Sequence, residues 1–245
     1  MLRVRFPVAV KSDDARFEIP FGSIRRSTLD DTVHRHAQIE VAALQWVDLS
    51  QADYGVALFN DCKYGFRIKG HTIDMSLIRS VPHPGAPLIG KDDKADGSAA
   101  SVYGDLGRHV FRYALPPPAG PGDTAALTAG ARAFNTPLAI VQGATASDAL
   151  GRPAKAVPVT AFQIDSPAVE LAALKPADDG QGWILRLVNL ADSPTSASLS
   201  SDCTGQWSER NLTEHSLQEA GLLTVNGQRV EIMLKSHEIK PLSFN

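Results

Sequence analysis

The sequence predicts an all-β protein, a large antiparallel β-sandwich followed by a small β-sandwich. Two observations lead to this fold class. Apolar side chains recur at every second residue in many short segments, and clusters of Gly, Pro and polar residues separate those segments. Successive side chains of a strand point to opposite faces, so a period of two indicates a half-buried sheet. Many short strands with turns between them are typical of sandwiches.

Five segments show the alternation most clearly, and each is predicted to be a strand. They are residues 16–21, 37–43, 72–77, 109–115 and 229–234. In the first of them, Phe17, Ile19 and Phe21 are expected on one face of the sheet. Trp46 and Trp183 also lie in strand patterns and are expected in the core, whereas Trp207 lies in a polar stretch that leaves its place open.

Turn signals connect some of these strands, and helix signals are weak. Asn226-Gly227 predicts a type I′ hairpin, because both turn positions of that type need positive φ. Residues 208–221 are compatible with two helical turns capped by Ser208, or with a strand and a loop.

Three stretches rich in Gly, Pro and small polar residues are predicted to be loops. They span residues 81–105, 116–125 and 142–158. Strand patterns resume after the third, so the domain boundary is placed there. The sequence therefore predicts a large sandwich over 1–150 and a small sandwich over 151–245.

The composition excludes several functional classes. The 245 residues carry a formal net charge of −3 and no basic block, which argues against nucleic acid or an anionic membrane as a partner. No apolar run approaches the roughly 20 residues of a membrane span. The N-terminus has no signal-peptide pattern, so we expect a cytoplasmic protein. Cys62 and Cys203 are expected to be lone reduced thiols.

No motif predicts a metal site or a complete catalytic site. On a strand, His34 and His36 would share a face, and a solvent-facing pair is the favoured interpretation over a metal chelate. Residues 92–97 resemble a calcium loop, but Lys94 stands at a ligand position. We therefore predict no catalytic residues, no metal ligands and no cofactor in this chain.

The stretch VALFNDCKYGFRIKG, residues 56–70, is the best candidate for ligand contact. Two apolar runs flank Asn60, Asp61, Lys63 and Tyr64, and Gly65 closes the cluster. A carboxylate, an ammonium group and a phenol can hydrogen-bond sugar hydroxyls and stack on a sugar ring. The alternative is that Asn-Asp and Gly simply suit a hairpin turn.

Several sequence blocks follow one another in a familiar order: EIPFGSIRR, then the block from Ala37 to Ser80, then DLGRHVFRYAL. In this order they resemble the C-terminal β region of glycoside hydrolase family 38, the α-mannosidases, and above all their bacterial and cytosolic branch. The blocks AFNTPL and VELAALKPADDGQGWILRLVNL extend the resemblance over most of the chain. The resemblance implies a supersandwich-like large domain and a small terminal sandwich. It also implies that the zinc ligands, the nucleophile and the acid/base carboxylate lie in an N-terminal catalytic part, outside these residues.

The resemblance leads to a functional expectation. The chain is expected to be a non-catalytic β region, inactive alone, that supports and rims the cleft of an α-mannosidase catalytic domain or half acting on mannose-containing glycans. Zinc is expected only in the full-length enzyme. Asn60, Asp61, Lys63, Tyr64 and Arg79 are the expected rim residues, with a salt bridge from Arg79 to Asp61 or Asp105 as the rival interpretation.

Two alternatives to this function remain open, a stand-alone carbohydrate-binding module and a purely structural or interaction domain. We also expect self-association, because a sheet that normally covers other domains exposes apolar surface when isolated.

Overall fold

The computed structural model describes residues 1–80, 104–116, 123–139, 161–217 and 223–245, which belong to two compact units. Unit 1 comprises Met1–Asp123 and Leu127–Asn135, and unit 2 comprises Thr124–Ala126 and Thr136–Asn245. The boundary predicted at residue 150 lies outside the described residues and stays a prediction. The calcium-like stretch 92–97 and most of the predicted loop segments also lie outside them.

Unit 1 is built from two antiparallel sheets. Its strands are β1 (Leu2–Pro7), β2 (Asp14–Ile19), β3 (Gly22–Ser27), β4 (Glu40–Ala42), β5 (Trp46–Ser50), β6 (Gly55–Asn60), β7 (Gly65–Lys69), β8 (Thr72–Ile78) and β9 (Tyr113–Ala114). One sheet has the order β1-β8-β7-β4, and the other has the order β3-β2-β5-β6-β9. Helix α1 (Val33–Ala37) precedes β4, and helix α2 (Thr124–Asn135) follows β9.

The two sheets of unit 1 share one apolar core. Val47, Leu49 and Leu58 come from the five-stranded sheet, and Phe66 and Met75 come from the four-stranded sheet. All five are fully buried or nearly so. Burying a side chain of this size stabilises the fold by about 1.5–3 kcal/mol relative to leaving it exposed. These alternating residues therefore produce the predicted sandwich.

The opposite face of the five-stranded sheet is covered by α2. Trp46 and Phe59 on the sheet pack with Leu127 and Ala131 of the helix, and Trp46 Nε1 donates to Thr128 Oγ1 at 3.2 Å. The expectation that Trp46 is a core residue is confirmed. This helix was not predicted from the sequence. Its Ala-rich segment has few polar residues, so no polar face marks it as a helix, and its buried face is defined only by its contact with Trp46.

The outer face of the four-stranded sheet carries a row of alternating charges. Four charged residues lie side by side at paired positions of the sheet. Asp74 on β8 lies between Arg5 on β1 and Arg67 on β7. On the other side of Arg67 lies Glu40 on β4. Asp74 is 3% exposed and accepts hydrogen bonds from both arginines, while Arg3 pairs with Glu40. Opposite charges at directly paired positions stabilise a sheet.

Unit 2 is a smaller sandwich of two four-stranded antiparallel sheets. Its strands are β10 (Gln163–Ile164), β11 (Val169–Pro176), β12 (Trp183–Asn189), β13 (Thr195–Ser200), β14 (Trp207–Glu209), β15 (Thr224–Asn226), β16 (Arg229–Leu234) and β17 (Ile239–Phe244). The sheet orders are β10-β13-β16-β15 and β11-β12-β17-β14. The predicted all-β class, with a large and a small sandwich, is thus confirmed.

Of the two tryptophans of unit 2, Trp183 differs from expectation, and the structure decides the place of Trp207, which the sequence left open. Trp207 is buried in the core and packs against Phe244 at a ring-centroid distance of 4.6 Å. Trp183, expected in the core, is 46% exposed. Its position explains this, because it is the first residue of β12 and lies at the margin of the sheet.

Three predicted strands are shorter than their sequence pattern. The one predicted over 37–43 is reduced to Glu40–Ala42, because Ala37 is the last residue of α1. The strand predicted over 16–21 ends at Ile19, since Ile19 pairs with Gly22 and the residues between them form a turn. Phe21 therefore points away from the core with φ of +65°. In the segment 109–115 only Tyr113–Ala114 forms a strand, and Val110 is exposed.

The remaining local predictions have mixed outcomes. The β15–β16 hairpin is confirmed, but Asn226 pairs with Arg229, so Gly227 and Gln228 form the turn. Only Gly227 has positive φ, which fits a type II′ turn rather than the predicted type I′. The segment starting at Ser208 follows the strand-and-loop alternative as far as residue 217.

Candidate functional site

The cluster at residues 61–64, called the 61–64 loop below, connects the two sheets of unit 1. It joins the end of β6 in the five-stranded sheet to the start of β7 in the four-stranded sheet. The interpretation as a hairpin turn is therefore wrong, because β6 and β7 do not pair with each other. Along this connection Cys62 and Tyr64 are exposed, whereas Asp61 and Lys63 are half-buried.

Asn60 holds the loop from inside the fold. It is 1% exposed, and its Nδ2 donates to Leu44 O at 2.7 Å while its Oδ1 accepts from Lys63 N at 2.7 Å. Its backbone oxygen accepts from Asn135 Nδ2 at 3.0 Å, which ties the loop to α2. The side chain of Asn60 is thus committed to shaping the loop.

Asp61 combines partial burial with an unsatisfied oxygen. Its Oδ1 is buried and has no hydrogen-bond partner among the described residues. Hydrogen bonding to Asp61 and, secondarily, burial raise the pKa of the Cys62 thiol. That thiol therefore stays protonated and is a poor nucleophile. Cys62 and Cys203 are both free and exposed, as expected for lone thiols.

Lys63 and Tyr64 form the outer surface of the loop. Lys63 Nζ lies 4.9 Å from the centre of the Phe111 ring, a cation–π distance. Tyr64 is 57% exposed, and its backbone oxygen accepts from Ala43 N at 3.1 Å. The phenol ring of Tyr64 is therefore available for contact, while its backbone anchors the loop.

Arg79 lies at the same end of the unit as the loop. Gly65 at the start of β7 packs beside Ser76 of the antiparallel neighbour β8, so the end of β8 extends toward the loop. Arg79 follows directly after β8 and is exposed. Within residues 1–80 and 104–116 it forms no salt bridge with Asp61 or Asp105, which removes the rival interpretation.

Tyr113 is a neighbour of this site that the sequence reading did not select. It pairs with Asn60 across β6 and β9, is partly exposed, and its ring packs edge-on against Phe6 at 5.7 Å. Its block was recognised as family-like, but only the pairing of β9 with β6 brings it beside the loop.

The histidine pair does not have the strand geometry expected of it. His34 and His36 lie on the five-residue helix α1, where side chains two positions apart diverge. His36 Nδ1 lies 2.8 Å from Asp30 Oδ1, and the hydrogen bonds from Lys69 and His36 lower the pKa of Asp30. Across the described ranges, no group of three or more His, Cys, Asp and Glu side chains converges to hold a metal ion.

Comparison with protein families gives two matches in the same family. Residues 1–86 match the family described as "Glycosyl hydrolases family 38 C-terminal domain". Residues 168–242 match "Glycosyl hydrolases family 38 C-terminal beta sandwich domain". The first match contains the 61–64 loop and Arg79, and the second covers most of unit 2.

Curated relatives include Alpha-mannosidase 2C1 of Mus musculus, which is 38% identical over 179 residues, 72% of this chain and 15% of that protein. The Homo sapiens protein of the same name is 37% identical over 189 residues, 76% of this chain and 16% of its own length. The chain thus spans about a sixth of these relatives.

A solved structure supports the same fold. The crystal structure of an alpha-mannosidase from Enterococcus faecalis V583 matches 99% of this chain and 25% of its own chain, with a TM-score of 0.73 and 17% identity. Neither α1 nor α2, the helices of the described residues, has the length and apolar content of a membrane span. Family matches, relatives and fold agree, and we conclude that the chain belongs to glycosyl hydrolase family 38 and carries its C-terminal β region.

Proposed function

We propose that this chain is the non-catalytic β region of an α-mannosidase-type glycoside hydrolase and that its 61–64 loop rims the sugar-binding cleft of a catalytic domain carried elsewhere. The observation that carries the proposal is Asp61 Oδ1, buried and without a hydrogen-bond partner among the described residues, in a loop that also presents Lys63 and Tyr64. An unpaired buried acceptor favours a donor from outside the unit, and a sugar hydroxyl is such a donor.

The proposed residues have separate roles. Asn60 shapes the loop, Asp61 and Lys63 hydrogen-bond sugar hydroxyls, and Tyr64 stacks on a ring face. Arg79 extends the polar rim at the same end of the unit. These groups bind and orient the substrate, and none of them forms or breaks a bond.

The chemistry itself is assigned to the catalytic domain. In a retaining mechanism, a carboxylate attacks the anomeric carbon and a second carboxylic acid protonates the leaving oxygen. Those carboxylates and the zinc ion expected in full-length family members belong to that other part. The partner is thus an α-mannosidase catalytic domain or half, the ligands are mannose-containing glycans, and the proposed location is the cytoplasm.

The test is to change Asp61 and Lys63 to Ala in an enzyme assembled with its catalytic part. Loss of hydrogen bonds to charged groups costs about 1.5–3 kcal/mol each, so kcat/KM toward an aryl α-mannoside should fall at least about tenfold. Asp53→Asn, an exposed change elsewhere in unit 1, serves as control. Wild-type efficiency in the double variant would refute the rim role. The isolated chain should show no turnover, even with added zinc.

A stand-alone carbohydrate-binding module is the second candidate. A depression lined by Asp165, Ser198 and Arg229 on the outer face of one sheet of unit 2 favours it. Sugar affinity without any catalytic partner would distinguish this candidate from a domain with only a structural role.

A further inference from the structure

A shallow depression of about 370 Å³ lies on the outer face of the sheet β10-β13-β16-β15. Asp165, Ser198, Arg229, Glu231 and Met233 are the lining residues that matter here, and we call this set the unit 2 depression. All five belong to one rigid sheet or its immediate extension, so their backbones are fixed relative to one another.

The register of β13 and β16 arranges these side chains. Ser198 lies directly opposite Glu231, and the flanking pairs are Ser196 with Met233 and Ser200 with Arg229. Alternate residues point to the same face, so a hydroxyl row on β13 runs beside a row of long side chains on β16. The inward residues between them, such as Leu199 and Ile232, belong to the core.

Ser198 is the anomaly in this arrangement. The residue is 7% exposed, and its Oγ is buried without a hydrogen-bond partner in the described part of the chain. Its backbone is already engaged, because Ser198 N donates to Asp165 Oδ1 at 2.7 Å. Buried hydroxyls nearly always have a partner, so an orphaned one beneath a depression indicates a place for a bound donor or acceptor.

The charges around Ser198 restrict the ligand. Arg229 Nη2 pairs with Asp165 Oδ2 at 3.1 Å, whereas Glu231 is exposed and forms no ion pair with any described residue. The depression therefore has an excess of one carboxylate, which disfavours phosphates and other anions. Its described lining residues include no aromatic side chain on which a nucleic-acid base could stack.

Met233 supplies an apolar surface beside these polar groups. It is among the exposed large apolar side chains, and its sulfur lies 3.6 Å from Ser196 Oγ. A carboxylate acceptor, hydroxyls that both donate and accept, and an apolar wall together match a neutral pyranose, which has adjacent hydroxyls on one side and C–H groups on another.

We propose that the unit 2 depression binds a neutral pyranose sugar. Glu231 accepts hydrogen bonds from two neighbouring ring hydroxyls, and Met233 packs against the C–H face of the ring. Movement of the exposed Glu231 and Met233 side chains opens Ser198 Oγ to a third sugar hydroxyl. This site lies in unit 2 and does not depend on the 61–64 loop.

The test is a titration of the full 245-residue chain with methyl α-mannopyranoside. Binding is monitored through the backbone amide chemical shifts in ¹H–¹⁵N NMR spectra. The expected result is a saturable shift of the amides of residues 196–198 and 229–233, with a Kd of about 1 mM, in the range of a small polar ligand at a shallow site. Glu231→Gln should weaken binding by about fivefold or more, because it replaces a charged acceptor with a neutral one.

Ser198→Ala separates a binding role from a structural one. Removing an unsatisfied hydroxyl should leave stability unchanged or raise it, yet weaken sugar binding by about threefold. Asp179→Asn, an exposed change in the connection between β11 and β12 of the other sheet, should have no effect on binding. The proposal is overturned if no saturable shift occurs by about 20 mM sugar, if glycerol produces the same shifts, or if either site variant binds like the wild type. None of these results depends on the cleft-rim role of unit 1.

Discussion

Asp74 offers a quantitative test of the charge row on the four-stranded sheet of unit 1. Its carboxylate accepts from Arg5 Nε at 2.7 Å and from Arg67 Nε at 3.0 Å. Asp74→Asn keeps the shape but leaves two guanidinium groups facing a neutral amide. Breaking a fully buried pair costs about 3–5 kcal/mol. Because the Arg5 side chain is 61% exposed and water screens its charge, we expect a smaller cost of about 2 kcal/mol.

Hydrogen exchange followed by mass spectrometry measures this cost locally. A loss of about 2 kcal/mol should speed exchange of peptides from β7 and β8 by about thirtyfold, when exchange reports opening equilibria. Peptides of unit 2 in the same molecule provide an internal reference. Asp13→Asn, an exposed change of the same charge in unit 1, provides the matched control.

The pH dependence of Asp74 has a definite sign. Burial favours the neutral acid, but the hydrogen bonds from Arg5 and Arg67 outweigh it and lower the pKa of Asp74 below its usual value of 3.8. The stabilisation is therefore complete above the pKa of the unfolded chain and is lost as pH falls through the lower folded pKa. If Asp74→Asn leaves hydrogen exchange of the β7 and β8 peptides unchanged at neutral pH, this account of the charge row is refuted.

Three further predictions test other features of the molecule. Burial raises the pKa of Asp48, so its charged form costs stability at neutral pH. Asp48→Asn should therefore stabilise unit 1 at neutral pH, and this gain should disappear in acid, where Asp48 is protonated. A variant that is less stable than the wild type in urea unfolding at neutral pH would contradict this. Gly182 and Gly227 both have positive φ, but a Cβ at Gly182 would lie 2.2 Å from the backbone oxygen of Phe244, whereas one at Gly227 meets nothing within 4 Å. Gly182→Ala should therefore destabilise unit 2 by well over the roughly 1 kcal/mol expected for Gly227→Ala, and equal melting temperatures would be the contrary result. The isolated chain should self-associate at high concentration through exposed apolar side chains, and a strictly monomeric mass in light scattering at all concentrations would count against it.

The sequence predicted those strands whose two faces have different environments. In β16 one face is apolar and buried and the other is polar and exposed, so the period of two corresponds directly to burial. The strand prediction from sequence failed where an apolar residue lies in a turn, as Phe21 does, or in an extended segment outside a sheet, as Val110 does. Alternation shows which side chains could be buried, but pairing partners decide where a strand ends.

The site shows the same division. The concentration of polar side chains in the 61–64 loop could be seen in the sequence, and so could the family resemblance of the surrounding residues. The sequence did not show that Asn60 is buried and anchors the loop, that Tyr113 lies nearby, or that no hairpin forms. Each of these depends on which strands pair in the sheets.

By itself, the sequence determined the all-β class, the two sandwiches and the family, because these depend on local periodicity and on ordered blocks of residues. Only the tertiary structure decided that α2 covers Trp46, that the 61–64 loop joins two sheets, and that the Ser198 hydroxyl, beneath a polar depression, has no hydrogen-bond partner among the described residues. The physical reason is that burial and hydrogen bonding of these groups come from residues far away in the chain, and a one-dimensional pattern does not specify which distant residues meet.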